Sequence, residues 1–136
     1  GSMDKERISS IIASIEKNLT EVGERFKSQE AFENKMVFDA GCMSLFQAIN
    51  RSIDLVEEAI AAKRLVVPGS YSDSFEILKQ AKVITAKTCD GMKRMVQYRN
   101  LISHEYYNIT PKDVKEILKR IHVVDGFLEE IKKSIR

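Results

Sequence analysis

Apolar residues recur at steps of three and four over most of the chain, and the places where that rhythm stops divide it into helices. Ile8, Ile12, Ile15, Leu19, Val22 and Phe26 form the seam of a first amphipathic helix, with Glu, Lys and Asn assigned to its other side. Ser28, followed by Gln29 and Glu30, reads as an N-cap and acidic first turn. A long second helix is predicted from about Gln29 to Arg64. It carries two apolar stripes, one of Phe32, Met36, Met43, Phe46 and Ile53, the other of Phe38, Cys42, Leu45, Ile49, Val56 and Ala59. So wide an apolar surface must meet more than one neighbour, which makes this the central helix.

Val66-Val67-Pro68-Gly69-Ser70-Tyr71 interrupts the pattern, Pro-Gly being a turn signal. Asp73 with Glu76 resembles a capping box for a short helix from Ser74 to about Ala81. A second break near Lys82–Ile84 leads to Thr85 as the cap of a helix over Ala86–Ser103. Thr110, Pro111 and Asp113 then make a capping box with proline at the first helical position. The last helix shows Val114, Ile117, Ile121, Val124, Leu128, Ile131 and Ile135 at helical spacing. No strand, repeat or low-complexity segment is evident. The expected fold is all-α, an up-down bundle of four main helices and one short one, forming a single domain over residues 3–136. Gly1 and Ser2 ahead of Met3 read as a scar left by tag removal.

Composition narrows the function only slightly. A net charge of +2 from 22 basic and 20 acidic residues argues against a broad nucleic-acid-coating surface but permits a local basic cleft. No apolar run approaches the ~20 residues of a membrane span, and no secretory leader is visible, so a cytoplasmic protein without a membrane partner is expected. Cys42 and Cys89 lack metal-ligand spacing and read as free thiols in a reducing compartment.

One helix breaks its own rule. Its seam runs through Met92, Met95 and Val96 to Arg99, then Ile102 and Tyr106, so a cation occupies an apolar register position. Unpaired burial there is costly, and Arg99 either lines a cleft or inter-subunit seam where an anion meets it, or snorkels at the bundle edge. His104, one of two histidines, follows five residues later. Five helical residues turn through ~500°, so on a straight helix positions 99 and 104 diverge by about 140°. They can act on one phosphate only if the helix unwinds near Ser103 or two copies meet. Asn100 lies one turn before His104 and can fix its imidazole tautomer. Arg, His and Tyr suit metal-independent phosphoryl chemistry: His104 moves protons at a ribose 2′-hydroxyl or a leaving 5′-oxygen, and Arg99 stabilises the charged phosphorane.

Arg99-Asn100-x-x-x-His104-x-Tyr106 resembles the RN-x-x-x-H-x-Y signature of the HEPN superfamily, in particular its HepT-like toxin branch. The stretches Ala48–Leu55, Val67–Tyr71 and Ser74–Leu78 match as well, so the resemblance spans nearly the whole chain. It implies a helical bundle that homodimerises so that two motifs face one cleft. It implies a metal-independent endoribonuclease toxin acting on RNA rather than DNA, without a cofactor or bound metal. It also implies a minimal nucleotidyltransferase antitoxin as partner, able to transfer AMP to the tyrosine of H-x-Y, which is Tyr106; the adjacent Tyr107 is a second acceptor position. A non-catalytic partner of a nucleotidyltransferase, or a nucleotide-binding helical protein, is the alternative.

Other polar residues are read more plainly. Asn50, with Asp54 one turn on, either supports Arg99 or His104 or sets bundle register. His122, Lys93 and Arg94 are expected on solvated faces, and Met36, Met43, Met92 and Met95 in the core.

Overall fold

The computed structural model describes residues 2–104 and 108–136, by backbone alone at positions 2, 3, 103 and 104. Among the described residues there are seven helical segments: α1 (Ser2–Arg25), α2 (Glu30–Glu33), α3 (Lys35–Ala62), α4 (Tyr71–Gln80), α5 (Ala86–His104), α6 (Pro111–Arg120) and α7 (His122–Ser134). The fold is all-α, as the periodicity predicts, and α3 is the central helix, touching α1, α2, α4, α5 and α7.

The first seam packs against α3 through Ile8, Ile12, Ile15 and Val22. Asn18 corrects the assignment of its asparagine to the outer face, being only 2% exposed. Its side chain accepts a hydrogen bond from Arg51 Nη1 and donates to Gln47 Oε1 at 3.3 Å, so a buried polar link ties α1 to α3.

The long second helix is broken. Asn34 leaves the helical region at φ −94°, ψ 113°, and its side chain accepts from the backbone N–H groups of Met36 and Val37. The four-residue α2 precedes it without a side-chain cap, so Asn34 takes the capping role expected of Ser28. Of the two stripes on α3, the one through Cys42, Leu45, Ile49, Val56 and Ala59 is fully buried. Met36 and Met43 are instead 80% and 46% exposed, which corrects their placement in the core; Met92 and Met95 are buried as expected.

Ser70, not Asp73, caps α4, accepting from Asp73 N at 3.1 Å, so the helix starts at Tyr71 rather than Ser74. Lys82 adopts φ 62° at the next break, and Thr85 caps α5 by accepting from Thr88 N at 3.2 Å. The Thr110–Asp113 capping box is present with Pro111 inside it. The last helix is divided at Ile121, but Val114, Ile117, Val124, Leu128 and Ile131 keep one continuous buried seam across the joint. No helix among the described residues is long and apolar enough to cross a membrane.

Candidate functional site

Two helices converge on Arg99. α5 is fixed along its length by Cys89, Met92, Met95, Val96 and Ile102, all buried against α3, α4 and α7. At its start, Glu130 of α7 accepts from Thr85 N at 2.6 Å and from the Thr88 hydroxyl. Gly91 lets α7 come close: a Cβ there would lie 2.4 Å from Val123 Cγ2. The Lys93 ammonium, together with Lys79 at 2.9 Å, grips Glu76 of α4. These two cations hold the Glu76 carboxyl down at about 2. Behind them Phe75 of α4 meets Phe127 of α7 edge-on, with ring centroids 5.9 Å apart.

This framework sets the Arg99 guanidinium between buried Val96 and Ile102, half-buried on an apolar register. Its Nε is shielded from solvent and has no hydrogen-bond partner among the described residues. Its Cζ lies 5.2 Å from the centre of the Tyr71 ring, within cation–π range. Tyr71 is the first residue of α4, placed there by the Pro68-Gly69 turn and the Ser70 cap, and is 43% exposed. Among the described residues no carboxylate forms an ion pair with Arg99. A cation within cation–π range of a ring, with no ion-pairing carboxylate among the described residues, is equipped to receive an anion.

The other motif residues are placed less completely. Asn100 follows Arg99 on the exposed side of α5. The backbone of α5 stays helical through His104, so the unwinding near Ser103 that would bring positions 99 and 104 together is absent. The His104 side chain and all of Tyr106 and Tyr107 lie outside the described residues. Asn50 is half-buried on α3, and Asp54 is exposed in a groove of about 400 Å³ with Arg7 and Arg51. His122 is exposed.

Sequence reasoning missed Tyr71, whose ring lies by Arg99, and Glu57, which shares a cavity with Tyr71. Tyr71 stood only within a matching stretch, although an aromatic just after a Pro-Gly-Ser turn was a usable signal. Glu57 gave none. It lines, with Tyr71, a cavity of about 370 Å³ at the mouth of the α3–α4 connection. The thiols are not reactive centres: burial pushes Cys42 up to about 12, and burial followed by the nearby Glu76 charge raises Cys89. Among the described residues no cluster of His, Cys, Asp and Glu is arranged to hold a metal ion.

Comparisons with known proteins place the chain in a family. The profile of the family described as Ribonuclease HepT-like matches residues 8–132. The mRNA nuclease HepT of Shewanella oneidensis is 27% identical over 113 residues, covering 83% of this chain and 77% of that protein. Among solved structures, YutE of Bacillus subtilis, described as a cytosolic protein of unknown function, superposes with a TM-score of 0.84 at 22% identity, over 97% of this chain and 90% of that one. A tri-AMPylated Shewanella oneidensis HEPN toxin in complex with MNT antitoxin superposes with a TM-score of 0.71 at 26% identity, over 93% and 91% of the two chains.

Proposed function

Because the chain belongs to the HepT-like ribonuclease family of the HEPN superfamily, we propose that it is a metal-independent endoribonuclease toxin, neutralised by a minimal nucleotidyltransferase antitoxin. The observation that carries this reading is Arg99, a guanidinium held on an apolar seam against Tyr71 with no counter-ion among the described residues. In RNA the scissile phosphate supplies the missing anion. Arg99 binds it and stabilises the extra charge of the phosphorane.

His104 supplies the proton transfers. The imidazole takes the proton from the 2′-hydroxyl as that oxygen attacks phosphorus. The same imidazole, now protonated, gives the proton to the departing 5′-oxygen, leaving a 2′,3′-cyclic phosphate and a 5′-hydroxyl. Asn100, one turn earlier, orients the imidazole. The unbroken course of α5 through His104 supports a homodimeric active form in which Arg99 of one copy works with His104 of a second. Asn50 and Asp54 support the motif from α3.

The antitoxin acts on the same segment. Transfer of AMP to Tyr106, two residues beyond His104, adds a bulky anion that competes with RNA phosphate for Arg99. The matches to an mRNA nuclease and to a tri-AMPylated toxin bound to its antitoxin support both halves of this reading. The protein would work in the cytoplasm, where its RNA substrate and antitoxin are made.

The test is cleavage of RNA by the purified, unmodified protein in excess EDTA. His104→Ala is expected to abolish cutting, and incubation with the antitoxin and ATP to add AMP to wild type but not to Tyr106→Phe. Cutting that persists in His104→Ala overturns the assignment.

A further inference from the structure

The cavity walled by Tyr71, the ring partner of Arg99, has a composition unlike a phosphate site. It is lined by Glu57 from α3, the turn residues Pro68, Gly69 and Ser70, and Tyr71 and Ser74 of α4, and holds about 370 Å³. Tyr71 belongs to both places: its ring lies 5.2 Å from the Arg99 guanidinium and also walls the cavity. Tyr71 is thus the one residue that links the cavity to a group bound at Arg99. Glu57 is exposed and has no ion pair among the described residues, whereas the adjacent Glu58 is engaged by Arg7 at 2.6 Å. A free carboxylate repels a second phosphate and accepts hydrogen bonds only. An aromatic ring and a proline supply flat apolar wall.

We propose that this cavity is a nucleobase subsite, taking the base next to the phosphate gripped by Arg99 and preferring a base that carries an exocyclic amino group. The inference rests on the ribonuclease reading of Arg99 and names its substrate preference. Tyr71 stacks on the base, a contact open to all four because each has a π-face. Glu57 discriminates among them. Cytosine, adenine and guanine each offer an amino donor to a carboxylate, while uracil offers only its N3–H, flanked by two carbonyl oxygens that repel the carboxylate. Single-stranded RNA is recognised in this manner, by splayed bases stacked on aromatic rings and read along their Watson–Crick edges.

Titration of the isotope-labelled full chain with CMP, AMP, GMP and UMP, followed by amide chemical-shift mapping, tests the subsite without any cutting. Shifts are expected at Ser70, Tyr71 and Ser74, with UMP binding roughly tenfold weaker than the other three. Glu57→Gln, whose amide both donates and accepts, is expected to remove the discrimination against UMP. Tyr71→Leu is expected to weaken all four nucleotides, and Tyr71→Phe to restore them. Equal binding of UMP by wild type, shifts confined to other residues, or discrimination retained in Glu57→Gln each overturns the subsite. In parallel, the ends of RNA cut by wild type and by Glu57→Gln are sequenced. Cutting with an unchanged base choice in Glu57→Gln discards the subsite and leaves the nuclease reading intact. Selective nucleotide binding by a chain that cuts no RNA does the reverse.

Discussion

Arg99 is stabilised by shape as much as by charge. Stacking on Tyr71 requires a flat cation, and a phosphate is best met by the forked guanidinium donors. A lysine at this position keeps the charge but loses both the plane and the fork. Arg99→Lys is therefore expected to fold normally and to cut RNA roughly 10²-fold more slowly, the scale on which one transition-state donor is felt. Single-turnover cleavage with matched thermal melts checks this; wild-type rates in the variant would remove Arg99 from the chemistry. Glu76 makes a separate, structural point at the same scale. Lys93 and Lys79 depress its carboxyl to about 2 from an ordinary 4.5. The folded state thus favours the ionised form, and the resulting stability is present above pH 4.5 and drains away as pH falls toward 2. The stability gap between wild type and Glu76→Gln in urea is expected to be largest near neutrality and to close over that window. A gap that stays constant between pH 6 and pH 3 would mean that Glu76 acts through packing alone. The site is only half-buried, and added salt should narrow the gap as well.

At the scale of elements, the position of α5 depends on how closely α7 approaches it. The Cβ of an alanine at position 91 would sit 2.4 Å from Val123 Cγ2, so Gly91→Ala forces the two helices apart or drives Val123 off its rotamer. A loss of about 1–3 kcal/mol is expected by chemical denaturation. Pairing it with Val123→Ala is expected to recover part of that loss, and failure of the pair to do so would place the strain elsewhere. The same helices show what the sequence made legible. Seams of three-four spacing located α1, α5 and the α6–α7 run because burial of one face selects those spacings directly. Asn34 was not legible as a break, since an asparagine inside an apolar periodicity looks like an ordinary surface position until its side chain is seen on two backbone N–H groups. Asn18 was misread for the opposite reason: only the partner helix, through Arg51 and Gln47, shows that a polar residue is buried there. Arg99 was visible as a violation of its seam. Tyr71 was legible only as an aromatic after a turn, and Glu57 not at all, because what each adjoins is set by tertiary packing.

For the whole molecule, the continuity of α5 is decisive. Positions 99 and 104 lie on one unbroken helix, some 140° apart around its axis. The proposed homodimer answers that divergence by setting Arg99 of one chain against His104 of the other, and a closed symmetric dimer then carries two equivalent composite sites. The arrangement has a consequence that no monomeric site shares. Arg99→Ala and His104→Ala homodimers are each inactive, because every composite site in them lacks one group. In a mixed dimer the intact Arg99 and the intact His104 fall in the same site, and both defects fall in the other. Random mixing makes half of the dimers mixed with one good site in each, so an equimolar blend of the two variants is expected to recover about a quarter of wild-type cleavage. Differently tagged chains, co-expressed and purified through both tags, should raise the recovery to about half. Mixed dimers that form but cut nothing would show that both groups act from one chain after all, and a chain that cuts RNA as a monomer would do the same.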